Sequence, residues 1–265
     1  MPRAPNRFLA RLPALAPRVL NDVAAADRRG RWRPAARAGA PVARRPLVVE
    51  LGCADAAVLR AAAVARPDHT FVGIDWGPEA LCAAADGASG DVTFIHGRGQ
   101  ALRRYFADGE VDELWIFHPE PCDRPRQRRN RLLSPTLLLD AHAVLTPGAG
   151  RLTLKTDHPG YYGWALGLLG MPPPPWFAAA RAGQPVPAHV SRLRADELLA
   201  PDDVAPVVPE VAARFAVGCQ STDFWADPVA QAHVAGRGFA GRRTAYEEHH
   251  ARRHRPIYLL ELRAR

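Results

Sequence analysis

The stretch PLVVELGCADAAVLRAAAVARPDHTFVGID, residues 46–75, decides the fold. A short apolar, β-branched run stops at Gly52, an alanine-rich segment of helical length follows, and a second β-branched run ends at Asp75. Strand, turn, helix and strand in that order make one β-α-β step. The alternation continues through a helix in GPEALCAAA, a strand in DVTFIHG, a short helix in GQALRRYF and a strand in VDELWIF, which ends at His118. SPTLLLDAHAVL then reads as a helix with Ser134 as N-cap and Pro135 in its first turn, and TPGAGRLTLKTD as a turn and a strand. This pattern predicts an α/β fold with a doubly wound, mostly parallel sheet. Past residue 160 it loosens. Prolines punctuate residues 171–210, read as an insertion before the last strands, with helical pieces near RADELLA and VPEVAARFA; IYLLELR reads as the final strand.

Charge is unevenly placed. Residues 1–45 hold 11 arginines against Asp22 and Asp27, a net +9, while the rest sets 24 cationic side chains against 25 acidic ones, a net −1. The expected organisation is a basic N-terminal arm, 1–45, and a Rossmann-like domain, 46–265. Such an arm suits a nucleic-acid contact, a transit-like peptide or a solvated tail. No apolar run is long enough for a membrane span, so a soluble, cytoplasmic protein is expected. Cys53, Cys82, Cys122 and Cys219 form no C-x-x-C pair, and His249, His250 and His254 have no companion ligands, so no metal site is expected.

In a doubly wound sheet ligands bind beyond the carboxyl ends of the strands. The residues there are Glu50 and Gly52, Asp75, Gly97 and Arg98, Glu120, and Asp157. The first turn, ELGCADA, lacks the G-x-G-x-x-G that lets backbone amides meet a pyrophosphate. Acids at these positions instead suit a ligand with hydroxyls and positive charge. S-adenosylmethionine is one: its ribose diol can donate to Asp75, and Glu50 can sit near its ammonium or sulfonium.

VVELG, FVGID, IFHPEP with its arginine cluster, VLTPGAGRLTLKTD and TAYE together resemble, in order, the motifs of the bacterial tRNA (guanine-N7)-methyltransferases. Those motifs usually read as an E-I-G turn, F-I-G-I-E, F-P-D-P-W with a basic run, L-K-P-G-G with a T-D strand end, and T-x-(Y/F)-E. The resemblance covers about residues 46–166 and 215–262. It implies a sheet of the class I S-adenosylmethionine-dependent methyltransferase type and a cofactor set of Glu50, Gly52, Asp75, Trp76, Gly97, Arg98 and His118. It also implies Glu120 as the catalytic carboxylate, with Arg124, Asp157, Thr244 and Glu247 as substrate contacts. The partner implied is tRNA, bound by a monomer or homodimer. Read without the resemblance, Pro-Glu-Pro is also a plain rigid turn and TAYEEHHARRH the exposed face of a polar segment.

This chain departs from the pattern in places. The glycine-rich first turn becomes Gly52, Ala54, Ala56; the acid expected after the third strand is Gly97; the aspartate is Glu120; and the tryptophan after the P-D-P loop is Cys122. The changes cluster at cofactor and acceptor, which leaves two alternatives beside the tRNA reading: a small-molecule heterocycle N-methyltransferase, and a catalytically silent RNA-binding paralogue.

Overall fold

The computed structural model describes residues 6–33, 45–88, 90–122, 124–190 and 205–265. Its eight strands are β1 (Val19–Asn21), β2 (Leu47–Leu51), β3 (Thr70–Asp75), β4 (Val92–His96), β5 (Glu113–Phe117), β6 (Arg151–Thr156), β7 (Phe215–Ser221) and β8 (Tyr258–Ala264). They form one sheet in the order β1-β4-β3-β2-β5-β6-β8-β7. All pairs are parallel except those of β8, which runs antiparallel to both β6 and β7. The chain winds outward from β2 through β3 and β4, then returns to the other side of β2 to lay down β5 and β6. The switch point therefore lies between β2 and β5.

β2 is buried along its whole length, as a central parallel strand covered on both faces should be. That explains its unbroken apolar run and makes Glu50, the acid within it, conspicuous. The helix Pro135–Val144 starts as expected, with the Ser134 hydroxyl accepting from Leu137 N at 3.2 Å. The helix Pro159–Leu168 escaped the sequence reading. Almost every residue in it is buried, so it has no polar face and no periodicity to detect.

Two expectations are corrected. Residue 45 is not the edge of the domain, because β1 comes from the arm and pairs with β4. Glu110 fastens the same segment by accepting from the backbone of Gly30 and Trp32 at 2.9 and 3.0 Å. Arg11, Arg33 and Arg45 pair with Asp86, Asp112 and Asp91 of the core, so part of the arm's charge is answered inside the fold. Residues 1–5 and 34–44 lie outside the described residues. The second correction is β7, which was not read as a strand. It is an edge strand with a register shift between Val217 and Cys219, and a side chain at Gly218 would run into the Glu261 carboxylate. Of the expected insertion, RADELLA lies outside the described residues; VPEVAARFA supplies the helix Pro209–Arg214 and the first residues of β7.

Candidate active site

A cleft of about 560 Å³ opens at the switch point. Gly52, Asp75, Trp76, Gly97, Arg98, His118 and Glu120 all line it, so seven of the expected residues, scattered over the sequence, meet in one place. The turn after β2 has kept a glycine-like backbone without the glycines. Gly52, Ala54 and Ala56 all have positive φ, at 72°, 47° and 54°. Such a conformation in an alanine costs on the order of 1 kcal/mol. Asp75 helps to hold it: one carboxylate oxygen accepts from Ala54 N at 2.9 Å and the other from Gly77 N at 2.7 Å. Each oxygen keeps a further lone pair for a ligand hydroxyl.

Glu120 stands exposed at the cleft's other side, on a loop fixed at both ends. His118 and Cys122 bracket Pro119-Glu120-Pro121, both in the left-handed region at φ 49° and 50°. His118 N donates to Lys155 O at 2.8 Å. At the far end Arg131 Nε donates to Pro121 O at 2.7 Å, and its guanidinium lies 4.8 Å from the centre of the Trp164 ring. The arginine run is thus divided. Arg131 is buried and anchors the loop, whereas Arg124, Arg126 and Arg129 are exposed on or beside the short 3-10 helix Pro125–Asn130. Gln127 and Asn130 of that helix line the cleft as well, and nothing in the sequence reading had marked them.

Four expected positions do not line the cleft. Thr244 and Glu247 form a capping box on the helix Ala245–Ala251: Thr244 N donates to Glu247 Oε2 at 2.7 Å, and Glu247 N to Thr244 Oγ1 at 2.9 Å. The Glu247 side chain is fully buried against Lys155 and does not line this cleft. Asp157 lies between His118 and His250, 3.4 Å from each, and is likewise absent from the cleft wall. Glu50 lies outside the lining too. Its Oε2 is buried with no hydrogen-bond partner. Burial first, then Asp55 and Asp75 against the opposing Lys155, pushes its carboxyl up to about 8.

Lys155, the chain's lone lysine, carries no signal in the sequence and is buried among the rings of Phe117, Phe224, Trp225 and Phe239. Burial lowers its pKa, with Glu247 opposing. Burial also works against Glu247's charge, but His118 and Lys155 outweigh it and hold that carboxylate down to about 2. Removing one partner strands the other. Lys155→Met should therefore lower the unfolding free energy in urea by roughly 3 kcal/mol, and adding Glu247→Gln should restore part of the loss. Glu247's contribution to stability is complete above about 4.5 and is lost as the pH falls towards about 2.

Gly97 also has a local cause. A side chain there would run into the Tyr105 hydroxyl, which donates to Asp22 at 2.7 Å. Asp22 follows β1, and Asn21 is in register with His96, so the arm reaches the rim of the cleft beside Gly97. Among the described residues no group of three side chains is arranged to hold a metal ion, and no helix is long and apolar enough to cross a membrane.

Residues 44–173 match a family model described as a putative methyltransferase. A tRNA (guanine-N(7)-)-methyltransferase of Chloroflexus aurantiacus is 36% identical over 152 residues, covering 56% of this chain and 64% of that protein. One from Levilactobacillus brevis is 33% identical over 128 residues, 47% of this chain and 59% of its own length. The chain thus spans less than two thirds of these curated relatives. A solved antibiotic-resistance methyltransferase, Kmr, overlays with a TM-score of 0.43 at 19% identity, covering 83% of this chain and 86% of that one.

Proposed function

We propose that this chain, whose residues 44–173 match the putative methyltransferase model and which is similar to tRNA (guanine-N(7)-)-methyltransferases, transfers a methyl group to guanine N7 of a tRNA. The observation that carries the reading is the meeting, across one cleft, of the Asp75 turn with the rigid Glu120 loop and its exposed arginines.

The residues present fit S-adenosylmethionine. Asp75 has lone pairs to spare for a ribose diol, Gly52 leaves open space above the turn, and Glu50 Oε2 lies buried without a hydrogen-bond partner in the strand that leads into it. When bound, that cofactor supplies an electrophilic methyl on a sulfonium. Guanine N7 carries a free in-plane lone pair, so its attack requires no prior proton removal and no general base. What remains for the protein is alignment and charge. In this reading Glu120 accepts from the guanine N–H edge and favours the positive charge that the purine gains, and its fixed loop means that little is left to order on binding. Arg124, Arg126 and Arg129 hold phosphates and so position the RNA without reading its sequence.

Labelled S-adenosylmethionine incubated with unmodified tRNA should yield labelled N7-methylguanosine on digestion; label at another atom, or none, would count against the proposal. Salt tests the arginines. Replacing Arg124, Arg126 and Arg129 together by glutamine should weaken tRNA binding and flatten the slope of log affinity against log salt by roughly 2–3. A second reading is favoured by Cys122, which lines the cleft where the related motif has tryptophan and so leaves a smaller wall for the acceptor. A small heterocycle as acceptor would make turnover insensitive both to salt and to the triple substitution.

A further inference from the structure

Behind the cleft wall lies a cluster of ionisable side chains that the proposed chemistry does not use. His118 is nearly buried, with Nδ1 3.4 Å from Asp157 Oδ1 and Nε2 3.6 Å from Glu247 Oε1. Lys155 pairs with Glu247 from β6, and His250 Nε2 approaches the second oxygen of Asp157 at 3.4 Å. From the helix Ala245–Ala251, the Tyr246 ring packs 5.1 Å from the His118 ring. Two carboxylates face the imidazoles; Lys155 answers one of them, and Arg243 and Arg255 act on Lys155 and His250 from nearby, so His118 and His250 are the candidates to carry the matching charge. His250 is the weaker candidate, because burial lowers its pKa against the pull of Asp157. Burial disfavours charge on His118 too, but Asp157 and Glu247 together outweigh it and hold His118 above its ordinary value.

His118 is also the residue from which the Pro-Glu-Pro loop departs, and it holds a left-handed backbone conformation uncommon outside glycine. A side chain hydrogen-bonded to Asp157 through Nδ1, with its buried Nε2 facing the Glu247 carboxylate in a charge contact, resists relaxation of that backbone. We infer that His118 is a positioning residue: its imidazolium, clamped between Asp157 and Glu247, sets the loop that carries Glu120, so loss of that proton loosens the loop and misplaces the carboxylate. The inference rests on the methyltransferase reading for its catalytic consequence, but its structural half stands apart from it.

The sign follows from the raised value. The clamp is complete below the ordinary histidine range and is lost as the pH rises through the folded-state value. Methyl transfer by the wild type, followed from about pH 6 to about pH 9.5, should show an alkaline limb that falls roughly 10- to 100-fold to a plateau. His118→Asn should lower kcat roughly 10- to 100-fold at neutral pH with KM for tRNA little changed, and should lack that limb. Glu247→Gln should move the limb to lower pH by removing one of the two carboxylates. A wild type with no alkaline limb, or a His118→Asn variant that retains it, overturns the proposal.

Limited trypsin cleavage after Arg126 and Arg128, scored in the wild type against the same segment in His118→Asn at each pH, needs neither methyl donor nor acceptor. The wild-type rate should start well below the variant's and converge on it as the pH rises. Equal rates at all pH values overturn the clamp whether or not tRNA proves to be the acceptor. If the variant does not fold, an imidazole NMR titration of the wild type decides instead: a His118 value at or below the ordinary histidine range overturns the inference.

Discussion

Replacing Glu120 by alanine should reduce methyl transfer by roughly 100- to 1000-fold while leaving S-adenosylmethionine affinity within about twofold, because in the proposed reaction the carboxylate meets charge that develops only as the methyl moves. The separation of effects comes from geometry. Glu120 is exposed at the rim, and its loop is held by groups other than its own side chain: His118 N on Lys155 O, and Arg131 on Pro121 O. Truncation therefore removes the carboxylate without releasing the backbone. Single-turnover rates read against calorimetric cofactor affinity check this. Equal losses in the two would make Glu120 a cofactor residue and leave the acceptor without its partner.

Asp75→Ala should act on the opposite half of the cleft and weaken S-adenosylmethionine binding at least 100-fold. Hydrogen bonds to a charged acceptor contribute about 1.5–3 kcal/mol each, and two ribose hydroxyls donating to one carboxylate reach about 3–5 kcal/mol. The same substitution also deprives Ala54 N and Gly77 N of their acceptor, and so frees a turn that two left-handed alanines already strain. Asp75→Asn is the informative companion. It retains one acceptor oxygen and should recover part of the affinity. Calorimetry that finds Asp75→Ala binding as the wild type does would remove the ribose contact.

Much of this was legible in the sequence because burial imposes pattern. β2, β3 and β5 are buried parallel strands, so each shows as a β-branched or apolar run, and the residue after each run lies at the ligand end by geometry alone. Gly52 and Asp75, and Gly97 after β4, could therefore be gathered at one edge of the sheet without coordinates, whereas His118 enters the set through the motif resemblance. What stayed hidden lacked such a pattern. β1 is three residues long, β7 is an edge strand whose middle is exposed, and the helix Pro159–Leu168 is apolar all round. Thr244 and Glu247 carry two signals at once: T-x-x-E is the spacing of a capping box, which the structure forms, and it is also the motif that the resemblance assigns to the substrate. Lys155 went unread because its environment, four aromatic rings from β5 and the stretch between β7 and β8, is assembled only by the fold.

The measurement that tests the account most directly is a crystal structure with S-adenosylhomocysteine, the demethylated cofactor. The account predicts its ribose hydroxyls within hydrogen-bonding distance of the Asp75 carboxylate and its sulfur turned towards the Glu120 loop. A ligand seated away from the switch-point cleft, or one whose sugar makes no contact with Asp75, would contradict it.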